Sequence, residues 1–301
     1  MKLYVRMRGG LGNQMFQYAY ALALREQYPD ARIILDTREY ATYKLRNFGL
    51  TDFVLAADTE VFPEGKLSYD LLIKAYHVYQ RIYREIRHEQ PYGVSELLAK
   101  RGMIVTGLGC PLPRSRLPET AYLYGYFQNA DLLLTVRELL RQAYSLPESE
   151  AAKLPESLRN PGENAVAVSI PTYNDVIAKS GWHYCTREFY RAGLEEIWKD
   201  HPLEKLVVFS DSPEKIEKEQ WFDDLGLEIE YTGGLSPSEQ MEILKRFRYY
   251  VIANSTFAWW GAFLGAGEDG VIVAPTIWQG NRPTEKDPLH LKNMILLPNG
   301  S

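Results

Sequence analysis

The sequence predicts an α/β protein made of two units, each built on a parallel sheet. Three observations lead there. A glycine turn, GGLGNQ from Gly9, separates a strand-like run at 2–8 from a run of helix formers at 15–24. An apolar run, 32–35, follows and ends at Asp36. The same alternation starts afresh at 165–170, after a stretch rich in proline. A strand, a helical crossover and a second strand form the βαβ unit, whose strands run parallel.

Each element has its own grounds. Residues 2–8 read as a strand, and 15–24 has the apolar density of a buried helix, so the glycines occupy a strand-to-helix turn where backbone approaches a ligand closely. Residues 67–89 read as helix, 122–127 (YLYGYF) as strand and 131–144 as helix. The stretch 146–163 holds Pro147, Pro155, Pro161 and Gly162 among charges, without sustained apolar periodicity. It reads as the connection between domains, which are expected at 1–155 and 156–301. Beyond it the pattern predicts strand 165–170, helix 187–199, strand 206–210, helix 236–247, and strands 249–253 and 271–274.

The chain has 301 residues, 46% of them hydrophobic and 13% aromatic, which supplies core for two domains. A net charge of −5 argues against a nucleic-acid binder that relies on bulk electrostatics. Cys110 and Cys185, without CxxC spacing, make neither a disulfide framework nor a zinc site. The opening MKLYVRMRGG lacks the apolar core of a signal peptide, and no run approaches the ~20 apolar residues of a membrane span. A cytoplasmic location is therefore expected. Within 71–88, Leu71, Ala75, Val78, Tyr79, Ile82 and Ile86 recur at helix spacing, with Lys74, Arg81, Arg84 and Arg87 around them. Such a helix either touches the inner face of a membrane peripherally or packs on its own domain with a solvated basic face.

Five short motifs stand where strands are expected to end: GGLGNQ at Gly9, SIPTYND at Ser169, FSDS at Phe209, ANSTFAWWGAFL at Ala253 and APTIW at Ala274. A parallel sheet presents polar groups to ligands at that edge, and this set suits a nucleotide. Asp211 is placed to accept hydrogen bonds from a base or ribose, or with Ser212 to cap a helix ahead of Pro213. Ser255 and Thr256 are placed to hold phosphate oxygens at a helix start, or to cap that helix with Trp259 and Trp260 in the core.

Taken together, GGLGNQMFQYAYALA, GYFQN at Gly125, HYCTREFYRAGLEEI at His183, FSDSPE at Phe209 and VIANSTFAWWGAFLG at Val251 resemble the bacterial α-1,2-fucosyltransferases of glycosyltransferase family eleven. The resemblance spans nearly the whole chain in the family's order. It implies a GT-B fold, with two Rossmann-like domains facing across a cleft, the acceptor mainly on the N-terminal side and GDP-fucose mainly on the C-terminal side. It also implies an inverting transfer of L-fucose to a hydroxyl of a glycan acceptor, in surface polysaccharide or O-antigen synthesis. The acceptor is expected to be free or lipid-linked, and no metal or other cofactor is expected, in keeping with the lack of a DxD motif near a strand end. On this resemblance the donor meets Asn13 and Gln14 at the first motif; Arg8, Gly10 and Gly12 beside them, and Ser169 and Tyr173 at the second motif, are further donor-binding candidates. By the same resemblance it meets Asp211 at the third and Ser255 and Thr256 at the fourth, with Asn254 a further candidate there.

One motif departs from the family. Where the family carries His-x-Arg-Arg-Gly-Asp-Tyr, this chain has Ser169-Ile170-Pro171-Thr172-Tyr173-Asn174-Asp175. Losing a guanidinium aimed at the leaving diphosphate would cost about 3 kcal/mol of transition-state stabilisation. Three readings follow: the charge comes from elsewhere, the donor is a different nucleotide sugar, or the chain binds a nucleotide sugar or glycan without catalysis. For the first, Arg6 and Arg8 lie on one face of the opening strand, and Arg8 precedes the glycine turn. Arg8 either reaches the diphosphate or sits in an ion pair. Asp175 and Asn13 are the catalytic candidates, Asp175 as the base that takes the acceptor proton.

Overall fold

A computed structural model describes residues 1–42, 46–65, 67–87, 96–108, 110–171, 184–278 and 287–300. The chain divides into two units, Met1–Ala143 and Tyr144–Ser301. The division falls ahead of the expected position near 155, with Tyr144 and Leu146 tied to the second unit. The Tyr144 ring meets Trp260 edge-on at 5.2 Å, the Leu146 N–H donates to Glu242 at 3.1 Å, and Lys245 donates to the Tyr144 carbonyl at 3.0 Å.

Among the described residues, the first unit holds strands β1 (Lys2–Arg6), β2 (Arg32–Asp36), β3 (Thr59–Phe62), β4 (Met103–Leu108) and β5 (Thr120–Gln128). Its helices are α1 (Leu11–Gln27), α2 (Asp70–Arg87), α3 (Glu96–Ala99), α4 (Ala130–Leu134) and α5 (Arg137–Ala143). The sheet runs β3-β2-β1-β5-β4 and every pairing is parallel. From β1 the chain steps to β2 on one side, while β5 pairs with β1 on the other. The order therefore reverses between β1 and β5, and open parallel sheets receive ligands beyond the carboxyl ends at such a reversal. Helix α1 is buried from Leu11 to Leu24 at every position but Asn13, as expected of a helix that is apolar on all sides. The helix expected at 131–144 is two short helices.

The second unit holds α6 (Glu148–Ala151), α7 (Glu156–Arg159), β6 (Ala165–Ser169), α8 (Arg187–Trp198), β7 (Lys205–Phe209), α9 (Pro213–Lys218) and β8 (Glu228–Tyr231). It continues with α10 (Pro237–Leu244), β9 (Tyr249–Ile252), α11 (Thr256–Gly265), β10 (Val271–Pro275) and β11 (Met294–Leu297). Its parallel sheet runs β11-β10-β9-β6-β7-β8, with the switch of order between β6 and β9. Val166, Val168, Leu206, Val208, Val251 and Val273 form its core with Phe189, Tyr190, Leu194 and Ile197 of α8. Backbones approach closely where glycine stands: a Cβ at Gly193 would sit 2.6 Å from Val251, and one at Gly261 would sit 2.2 Å from Leu244. Both expected α/β units are thus present, and the two glycines are what let α8 and α11 pack at that distance.

Candidate active site

In the first unit the chain leaves β1 through Met7, whose N–H bonds the Asp36 carbonyl, and then turns at Gly9 with φ +78°. β1 ends at Arg6, so Arg8 stands beyond the strand and not on its face. Buried Gln17 holds that turn: it accepts from the Arg8 N–H at 3.0 Å and donates to the Arg8 carbonyl at 3.2 Å. Gly10 is the cap position of α1. Gln14 is fully buried, and its amide donates to the carbonyls of Gly9 and Asn47 and accepts from the Gly49 N–H at 3.0 Å. It ties residues 47–49 to the glycine turn. Asn13 is half-buried, and its Oδ1 accepts from Gln128 at the end of β5 at 3.2 Å. Gly12 is buried within α1. Arg46, which the sequence did not single out, lays its stem 3.8 Å from where a Gly10 Cβ would stand.

The Arg8 guanidinium donates to the Tyr124 hydroxyl at 2.7 Å, faces Glu39 at 3.6 Å and lies over the rings of Tyr124 and Tyr126, 5.5 Å from each centroid. The ion pair foreseen as one fate of Arg8 is present. Because arginine can only donate, the Tyr124 hydroxyl accepts from Arg8 and its own proton is available to His77 Nε2, 2.9 Å away. A Tyr124 proton directed at Nε2 goes with the neutral His77 tautomer that carries its proton on Nδ1. Partial burial and then the Arg8 charge hold the His77 pKa below its ordinary value, which favours that neutral form.

A second cluster, unforeseen from the sequence, lies beside it. Asp36, at the end of β2 and fully buried, accepts from Arg6 at 2.7 Å, from Tyr122 at 2.8 Å and from Arg38 in a two-point pair at 2.7 and 2.9 Å. Arg38 makes a second two-point pair with Asp70, the first residue of α2, at 2.8 and 2.9 Å. Burial opposes the Asp36 charge, but the Arg38 hydrogen bonds, the Arg6 charge and the Tyr122 hydroxyl hold its carboxyl below the ordinary range. Arg38 brings the Asp70 pKa down to about 2. The signal was available: Asp36 ends an apolar strand, and Arg6 is its register partner on β1.

In the second unit Ser169, Phe209 and Ile252 lie level across three neighbouring strands, so the motifs that follow them share one edge. Ser169 is buried, and its carbonyl accepts from Tyr190 at 3.2 Å. Asn254 is buried and donates to the Trp278 carbonyl at 3.3 Å. Ser255 takes the cap position of α11 without a side-chain cap hydrogen bond, and Thr256 begins the helix, whose first turn carries no acidic residue. Asp211 is exposed just past β7, and Ser212 at the cap of α9 likewise makes no side-chain cap bond. The described residues thus bring Ser169, Asp211, Asn254, Ser255 and Thr256 to one sheet edge, and Arg8, Gly10, Gly12, Asn13 and Gln14 to the edge of the other sheet. Tyr173 and Asp175 lie outside the described residues. Of the other arginines in this unit, Arg187 donates to the carbonyls of Gln220 and Trp221, and Arg248 donates to the Asp269 carbonyl and lies over the Tyr249 ring.

Residues 2–297 match the model of the family described as glycosyl transferase family 11. The chain is similar to an alpha-1,2-colitosyltransferase of Escherichia coli, 25% identical over 280 residues and 91% of each chain. It is also similar to the O-antigen biosynthesis glycosyltransferase WbnK of Escherichia coli, 23% identical over 312 residues, 92% of this chain and 94% of that one. Among solved structures, Escherichia coli heptosyltransferase WaaC with ADP-2-deoxy-2-fluoro heptose matches 99% of this chain and 93% of its own, with TM-score 0.46 and 15% identity. A glycosyl transferase family 9 protein from Veillonella parvula matches 99% and 85%, with TM-score 0.47 and 13% identity.

Proposed function

The chain belongs to glycosyltransferase family 11, and from that premise we propose that it transfers L-fucose from GDP-fucose, with inversion, to a hydroxyl of a glycan acceptor that is lipid-linked and exposed at the cytoplasmic face of a membrane. One observation carries the donor side of this reading. Ser169, Asn254, Ser255 and Thr256 converge at the switch point of the second sheet, where α11 offers its N-terminal N–H groups. That is where an α/β sheet receives a nucleotide diphosphate. Asp211, on the next strand end, is the partner for ribose or base. In the first unit the resemblance assigns Asn13 to the reacting sugar.

Chemistry of this kind needs two things of the protein. A base takes the acceptor proton, the role assigned to Asp175, and fixed dipoles and cations stabilise the leaving diphosphate. The transfer requires no metal. The name of the colitosyltransferase relative makes a different nucleotide sugar the second reading.

Calorimetry against GDP, UDP and dTDP, followed by turnover of GDP-fucose on a panel of glycans, tests the proposal. GDP is expected to bind tightest and fucose to be transferred. Tight GDP binding with transfer of another GDP-sugar would establish the second reading, and tight binding with no transfer at all would mark a binding protein.

A further inference from the structure

Helix α2 carries two apolar faces, and only one of them is covered. Ile73 packs with Met103, Val105, Tyr122 and Tyr124 against the sheet, with Tyr76 beside it. At ~100° per residue, Val78, Leu71, Ile82, Ala75, Tyr79 and Leu72 form a stripe centred about 160° from Ile73. That stripe is bare: Leu71 is 75% exposed, Leu72 48%, Val78 60%, Tyr79 51% and Ile82 53%. Among the described residues, five of the twelve strongly exposed large apolar side chains lie on this one helix. A stripe of that kind marks an interaction surface.

The surroundings of the stripe decide what it meets. Lys74 and Arg81 border it on one side, Arg81 within 3.7 Å of Glu85. Residues 70–87 carry four basic and two acidic groups in a chain of net charge −5, and one of the two acids, Asp70, is turned inward to Arg38. An apolar stripe with aromatic residues and a basic border fits the headgroup region of an anionic bilayer, lying in its plane. No described helix is long and apolar enough to cross a membrane. The Asp70 pairs with Arg38 and Arg6 anchor the start of α2 to the carboxyl edge of the first sheet. The same helix presents His77 to Tyr124 and thereby to Arg8 at that edge.

We propose that the exposed face of α2 docks the protein on an anionic lipid surface, and so holds the edge of the first sheet beside it. The inference draws on the lipid-linked acceptor only for its purpose; binding to vesicles without donor or acceptor tests it separately.

The test is co-sedimentation of the full chain with phosphatidylcholine vesicles, with and without phosphatidylglycerol, at low and high salt. Binding to the anionic vesicles is expected, weakened by salt. Leu71→Glu with Ile82→Glu should reduce it at least about ten-fold, and Lys74→Glu or Arg81→Glu about five-fold each. These positions are exposed, so circular dichroism and the thermal midpoint should match the parent. Failure of the parent to sediment with anionic vesicles would overturn the proposal, as would binding that the Leu71 and Ile82 substitutions do not change. A dimer that those substitutions dissociate, with no vesicle binding, would assign the stripe to a second copy of this chain instead.

Discussion

Asn13 and Gln14 are adjacent, yet the structure gives them different work. Gln14 is sealed in, with its amide committed to three backbone groups, so Gln14→Ala leaves buried donors and acceptors unpaired. A loss of about 2–4 kcal/mol in chemical denaturation is expected. Asn13 makes one long bond to Gln128 and stays half-exposed. Asn13→Ala should leave stability within about 1 kcal/mol and lower kcat/KM by about 100-fold or more, read in a transfer assay beside a melting curve. Asp70 sets a pH dependence. Its folded pKa of about 2 lies below its ordinary value near 3.8, so its stabilisation is complete above pH 4 and fades as pH falls through 2. Because Asp70 is partly exposed, that contribution is about 1 kcal/mol. Thermal midpoints of Asp70→Asn and the parent, compared from pH 7 down to 2, should differ at the upper end and converge at the lower. Both residues of the pair could be named from the sequence, but burial separates their roles, and burial of a single side chain is set by what folds over it.

Most of the central strands β1, β2, β5, β6, β7, β9 and β10 were legible because residues covered on both faces make unbroken apolar runs such as AVAVS and KLVVF, whereas β1, KLYVR, was legible from the glycine turn that follows it. The four edge strands, β3, β4, β8 and β11, were not. Three of them are only four residues long and partly exposed, TEVF, EIEY and MILL, and a short edge strand owes its existence to a neighbour that offers hydrogen bonds, not to its own pattern. Helix ends followed local chemistry: Ser236 and Glu239 form a capping box ahead of α10, with Pro237 in its first turn. Close packing of elements was invisible by comparison. Gly261 reads as a helix-weakening residue, whereas in α11 it makes room for Leu244. Gly261→Ala, which would raise helix propensity, is therefore expected to destabilise by about 1–3 kcal/mol in urea denaturation.

Over the whole molecule, the fold class and the family follow from order: motifs spaced along nearly 300 residues at the ends of apolar runs matched the family model from 2 to 297. A reaction without a metal predicts that a chelator leaves the transfer rate unchanged, and a fall in rate restored by a divalent cation would count against it. The expected cysteine chemistry is likewise testable. Cys110 and Cys185 are buried, one in each unit, and burial pushes the Cys185 thiol up to about 12, so thiol reagents should react only on unfolding. Linear order alone was enough for two parallel-sheet units, their central strands and the edges where polar motifs gather, because strand periodicity and turn chemistry are local. Three-dimensional packing alone decided that Asp36 and Asp70 share Arg38, that Arg8 is held between Tyr124 and Tyr126, and which face of α2 is bare. That helix has apolar residues on two sides and one sheet to lie on, and periodicity cannot choose between faces when both qualify.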